Sequence, residues 1–200
     1  VMISHANLAH NLTLIVEELR VYRHGVCVSW LPQYHDMGLI GSYLGGIYSG
    51  LSSYYLSPLA FLKDATCWVR ALSKYGATHT QAPNFAYALT VRKWKQQATK
   101  KQPKLDLSSV RHMINAAEPV DASAIQDFYE LFRPMGLPTG VVVPTYGLAE
   151  HCVFVCSGGK QMVTVKKTDL GNGTVTVSAC SDLDGVRDSD AATTTTASDI

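Results

Sequence analysis

VSWLPQYHDMGLIG, Val28 to Gly41, decides how the chain is read. Val26 to Trp30 is a β-rich run closed by Pro32, and Asp36 is placed to cap a helix running from Met37 to about Tyr48. A buried strand that feeds a loop and then an apolar helix is half of a parallel βαβ unit. The glycines at 38, 41, 45 and 46 weaken that helix intrinsically and allow close packing. His35 and Asp36 lie in the connecting loop. That loop is a catalytic loop, a ligand rim or merely a turn with polar residues on it.

The same alternation repeats outward. Ser4 caps a helix to about Leu19, and Ser52 to Leu56 is a strand. Pro58 opens a helix expected to run to Tyr75 and stop at Gly76. Ala77 to Gln81 is a strand, and a helix from Pro83 to about Trp94 follows. Arg111 to Ala116 is a strand, Asp121 caps a helix to about Phe132, and Val141 to Pro144 is a strand. The class expected is α/β, a mostly parallel sheet flanked by helices, over residues 1–159. Apolar alternation around Gly171-Asn172-Gly173 predicts a β-hairpin within 160–180. Residues 181–200, mostly Asp, Thr, Ser and Ala, read as a disordered tail. Val1-Met2-Ile3 reads as the end of a strand, so the chain is expected to be a piece of something longer.

Composition narrows the function classes. A net charge of +1 in 200 residues supplies no global field for nucleic acid or anionic membrane. Five scattered cysteines without C-x-x-C spacing fit neither a disulfide framework nor a structural zinc site, and favour a reducing compartment, the cytoplasm. No eighteen-residue apolar run predicts a transmembrane helix, and no G-x-G-x-x-G follows the first strand, which argues against a dinucleotide-dependent dehydrogenase. The basic stretch Arg92 to Lys104 reads as a solvated helix end, with a docking surface for an acidic partner as the minor alternative.

In open parallel sheets ligands sit beyond the carboxyl ends of strands. Four polar stretches fall there: Gln33 to Asp36, Gln81 to Asn84, Asn115 to Pro119 and Thr145 to Glu150. Tyr146 offers a face for stacking a base, Gly147 lets backbone approach a ligand, and Glu150 can hold a hard cation on phosphate oxygens. Taken alone, those residues equally describe a tyrosine corner and a first-turn glutamate. Asp36 reads as an N-cap at least as well as a catalytic acid. His35 and Asp36 are adjacent, and spacing alone does not make them a dyad.

In order, VMISHANL, VSWLPQYHDMGLIG, LSPLAFLKD, THTQAPNFAYAL, LDLSSVRHMINAAEPV and PTYGLAE resemble the fatty-acyl-AMP ligases of the adenylate-forming superfamily, over residues 1–159. The resemblance implies part of the N-terminal domain of an enzyme that joins a fatty acid to ATP, with Mg²⁺, and releases pyrophosphate. The acyl group would then pass to an acyl carrier protein, or, less in keeping with these motifs, to coenzyme A. It implies that Tyr146 and Gly147, with Ala116, Ala117 and Glu118, contact the nucleotide, that Glu150 is catalytic through the magnesium it binds, and that His35 is catalytic where carboxylate meets α-phosphate. An acyl tunnel would run near Gly38, Gly41, Gln81, Asn84 and Phe85. The family often carries glycine where Ala116 stands. The family's phosphate loop, ribose-binding aspartate and arginine, and lysine-bearing C-terminal domain have no counterpart in these 200 residues, so the fragment alone is expected not to complete the reaction. A non-catalytic adenylation-like binding module is the competing expectation.

Overall fold

The computed structural model describes residues 2–21, 23–97, 103–159 and 161–182. Helix α1 (His5–Glu18) begins at Ser4 with a reciprocal cap: Asn7 N–H donates to Ser4 Oγ at 3.2 Å, and Ser4 N–H donates to Asn7 Oδ1 at 2.9 Å. Met2 and Ile3, expected to close a strand, have no regular structure, and Val1 lies outside the described residues. Strand β1 (Val26–Ser29) leads through the 30–36 loop into a π-helical segment, Met37–Leu44, continued by α2 (Gly45–Ser49). The expected helix is present, but its first two turns are π-wound. Gly38 lies hard against the Pro32 carbonyl, where any Cβ would collide.

Strand β2 (Ser52–Tyr55) follows, and then two helices stand where one was expected: α3 (Pro58–Lys63) and α4 (Thr66–Tyr75). Asp64 makes the break. Its backbone is extended, and its carboxylate accepts from Thr66 N–H at 3.1 Å, Thr66 Oγ1 at 2.7 Å and Arg70 Nη2 at 2.6 Å. A short acceptor beside the next helix's orphan amides competes with helix continuation. Burial alone would push this carboxyl up, but hydrogen bonds from Thr66 and Arg70 and the Arg70 charge outweigh it and hold it at about 2. Gly76 ends α4 with φ 58°, a left-handed backbone suited to glycine.

The remaining elements are β3 (His79–Pro83), α5 (Asn84–Gln96), β4 (His112–Ala116), α6 (Ala122–Phe132), β5 (Val142–Gly147) and β6 (Phe154–Ser157). As expected, Asp121 caps α6, accepting from Ser123 N–H at 2.9 Å. The sheet order is β2-β1-β3-β4-β5-β6, with the first five strands parallel and β6 antiparallel to β5. Its order reverses between β1 and β3, which places a ligand crevice beyond their carboxyl ends. A separate antiparallel pair, β7 (Gln161–Val165) and β8 (Val177–Asp182), occupies the expected hairpin region. Its connection is no tight glycine turn: it contains a short helix, α7 (Lys167–Leu170), before Gly171 to Gly173. Ser181 and Asp182 belong to β8, and the rest of the expected disordered tail lies outside the described residues. So do Lys100 and Lys101 of the basic stretch.

One core ties these layers. Trp68, Tyr87, Phe128 and Phe132 are fully buried and meet edge to face or tilted. Trp68 Nε1 donates to Thr80 Oγ1 at 2.9 Å, and that hydroxyl donates to the Val28 carbonyl at 2.7 Å, so the aromatic core is fastened to the centre of the sheet. Among the described residues no helix is long and apolar enough to cross a membrane.

Candidate active site at the carboxyl edge of the sheet

A hollow of about 440 Å³ opens beyond the carboxyl ends of β3, β4 and β5. Its base is Gln81, Ile114 and Ala116, one wall is Ile15 of α1 with Leu19 at its C-cap, and the opposite wall is Gly147, Leu148 and Ala149. Most of these groups are aliphatic. Thr145, Gln81, His35 and Asp36 supply the polar groups, an apolar pocket with a few placed polar contacts. A second hollow of about 690 Å³ lies beside it, bounded by Trp30, Pro32, Leu59, Leu62, Phe85 and Glu118 among others. Both hollows share Tyr34, His35, Met37 and Ala117, so His35 stands where they meet.

His35 and Asp36 do face each other: Nδ1 lies 2.7 Å from Asp36 Oδ1. Met37 N–H is 3.3 Å from the same Nδ1 and 2.7 Å from Asp36 Oδ1. The shorter distances make the carboxylate the acceptor from both neighbours. Asp36 therefore caps the helix and also holds the imidazole with Nδ1 protonated, an assignment made from distances, which leaves Nε2 for a ligand. The imidazole is 54% exposed.

The other expected site residues divide. Gly41 and Gln81 line the main hollow. Ala117, also on its wall, carries φ 70°, a left-handed backbone unusual for alanine, and turns the chain from β4 toward Glu118. Glu118 Oε1 accepts from Phe85 N–H at 2.5 Å, which ties this loop to the start of α5. Asn84 faces neither hollow: its Oδ1 accepts from Asn115 Nδ2 at 2.9 Å and from Asp121 N–H at 3.2 Å, bracing β4 and α6. Gly38 serves packing. Tyr146, 57% exposed, and Glu150 flank the wall built by Gly147 to Ala149 without lining the hollow. No cluster of three or more metal-ligating side chains occurs among the described residues.

Several lining groups were not expected. Ile15 and Leu19 reach the site because α1 docks on β6: Asn11 Nδ2 donates to the Phe154 carbonyl at 2.7 Å, and Phe154 N–H donates to Asn11 Oδ1 at 3.1 Å. No local signal marks a pairing 143 residues apart. Trp30 Nε1 is buried without a partner among the described residues, a donor at the edge of the second hollow.

Residues 1–181 match the AMP-binding enzyme family. The chain belongs to that family. It is 36% identical over 155 residues to the medium-chain-fatty-acid–[acyl-carrier-protein] ligase JamA of Moorena producens, covering 78% of this chain and 26% of that protein. It is 34% identical over 183 residues to the long-chain-fatty-acid–AMP ligase FadD32 of Mycolicibacterium smegmatis, covering 88% and 29%. Its fold matches that of a fatty acyl-adenylate ligase from L. pneumophila, solved in complex with acyl adenylate and pyrophosphate, with TM-score 0.82 and 35% identity over 90% of this chain and 32% of that one. This AMP-binding chain thus spans about a quarter to a third of the relatives it matches.

Proposed function

We propose that this chain is the central part of a fatty-acyl-AMP ligase, with residues 1–159 as its partial adenylation domain. The observation that carries the reading is the aliphatic hollow at the sheet's switch edge, with an oriented imidazole at its junction with a second hollow. The acyl chain lies against Ile15, Leu19, Gly41 and Ile114, and its carboxylate comes out at His35. The adenine stacks on Tyr146 beside the Ala116-Ala117-Glu118 loop. The carboxylate oxygen attacks the α-phosphorus of ATP, and the bond to the departing pyrophosphate breaks as the new O–P bond forms. His35, oriented by Asp36, donates from Nε2 when protonated and fixes the carboxylate for in-line attack. Glu150 would hold a magnesium ion, which when bound would supply neutralising charge for the phosphates.

The names of the relatives support an acyl carrier protein as acceptor, and five free cysteines support a cytoplasmic setting. The test is exchange of labelled pyrophosphate into ATP by the full-length protein, with fatty acids of several lengths. Exchange dependent on a fatty acid supports the proposal; none with any carboxylic acid refutes it. Phosphopantetheinylated carrier protein against coenzyme A then identifies the acceptor.

A further inference from the structure

Beneath the main hollow lies a smaller one, about 30 Å³, and both are bounded by Ile15, Leu19, Gly41, Gln81 and Ile114. Gln81 is buried, and its side chain is fixed. Nε2 donates to Ser42 Oγ at 2.5 Å, Ser42 Oγ donates to Ser29 Oγ at 3.0 Å, and Ser29 Oγ accepts from Leu31 N–H at 3.2 Å. The amide also lies against Gly41, where an added Cβ would stand 2.7 Å from Oε1. Several polar side chains around the smaller hollow are already engaged: Thr80 bonds the Val28 carbonyl, and His79 bonds Thr78 and the Leu19 carbonyl; His112, stacked on His79, also borders it. What remains there is mainly apolar, including Val16, Val21, Cys27 and Leu51. An apolar space thus continues past an anchored polar side chain.

We infer that Gln81 is the floor that sets acyl chain length. This rests on the proposed function and deepens it. A terminal methyl group that reaches Gln81 can go no further without displacing a hydrogen-bonded amide that would be left unsatisfied. Until that point each methylene gains burial, worth about fourfold in affinity. Were Gln81 only a tie between β3 and the π-helical segment, its removal would change stability and leave the length profile alone.

The experiment uses the full-length protein and two readouts, pyrophosphate exchange and ATP-free displacement of a fluorescent fatty acid, with saturated acids of increasing length. In wild type, affinity climbs with length and then breaks. Gln81→Ala deletes four side-chain heavy atoms and joins the two hollows, so the break moves to acids longer by about three or four methylenes. Gln81→Leu keeps the bulk but loses the anchoring hydrogen bond, so its break falls between those of wild type and Gln81→Ala. Gly41→Ala pushes the Gln81 amide into the main hollow, moves the break the other way, and keeps the idea testable if Gln81→Ala does not fold. A wild-type protein that binds fatty acids, with the break unmoved in the folded variants, overturns the role of Gln81 and spares the ligase reading. A wild-type protein that binds no fatty acid refutes both.

Discussion

Gly147→Ala tests whether the wall of the site depends on one close approach. Gly147 ends β5 opposite Phe154, at a register shift between Tyr146 and Gly147. Its φ is not among the positive values of the chain, so backbone freedom does not explain the glycine. Proximity does: an added Cβ would run into the Val153 carbonyl. That carbonyl accepts from Leu148 N–H at 3.0 Å, and Leu148, Ala149 and Val153 all face the main hollow. Alanine must therefore push the return strand away. Overpacking costs about 1–3 kcal/mol, and loss of one backbone hydrogen bond about 0.5–1.5 kcal/mol. The sum, about 1.5–4.5 kcal/mol, is a large part of a marginal stability of about 5–15 kcal/mol. A wall displaced by about 1 Å costs on the order of a hundredfold in rate. Hydrogen exchange on peptides spanning β5 and β6 reads the local opening even if the full-length chain unfolds in several steps. Pyrophosphate exchange reads the rate. Gly159→Ala is the control, because its Cβ would meet Pro144 at an ordinary 3.6 Å. Wild-type protection and wild-type exchange in Gly147→Ala would refute the reasoning.

Three further outcomes are expected. Glu150→Gln raises the Mg²⁺ concentration for half-maximal pyrophosphate exchange about 10- to 100-fold, the worth of a charged contact, and leaves fatty-acid binding intact because Glu150 lies outside the hollow; an unchanged Mg²⁺ titration removes it from the metal site. Glu118→Ala frees the Ala116 to Pro119 loop from Phe85 N–H and costs only about 1 kcal/mol, since the freed amide meets water; KM for ATP rises more than KM for fatty acid, and equal changes would contradict a nucleotide role. Burial lowers the His79 pKa below its usual 6.5, against the opposing hydrogen bond to the Leu19 carbonyl. The unfolded chain then takes up the proton first as pH falls through 6.5, so His79 destabilises the fold progressively on acidification and has no such effect well above 6.5. Melting temperatures of wild type and His79→Gln between about pH 7.5 and 5 should show the flatter slope in the variant, and parallel slopes would exclude the linkage.

The alternation of strands and helices was legible because parallel strands buried on both faces leave apolar runs closed by proline, aspartate or glycine. What escaped has physical reasons. Asp64 cuts a helix whose apolar spacing continues across it, because the carboxylate gains four donors that spacing does not reveal. Strand β6 is four residues long with only Phe154 buried, too short for alternation to mark it. The four polar stretches do gather at one edge, since strand ends in a parallel sheet converge wherever their loops lead. Which side chains turn into the hollow follows instead from the β5–β6 return: it brings in Gly147, Leu148 and Ala149 and sets Tyr146 and Glu150 beside them.

An aliphatic hollow of this size would shrink if its walls were free to move, because empty apolar space loses dispersion contacts. Each wall is pinned by a polar tie. Helix α1 is held by Asn11 on Phe154 and by the Leu19 carbonyl on His79 Nε2, 3.1 Å apart. Strand β5 is held by Tyr129 Oη, which accepts from Val142 N–H at 2.8 Å. Collapse would leave these buried groups unsatisfied, at about 1–3 kcal/mol each, comparable to the gain from closing the gap. The hollow is therefore preformed by folding, and an entering chain spends little of its binding energy on ordering the walls. On the proposed function, selectivity would then reside in shape, in where the floor stands and how narrowly α1 faces the β5–β6 turn.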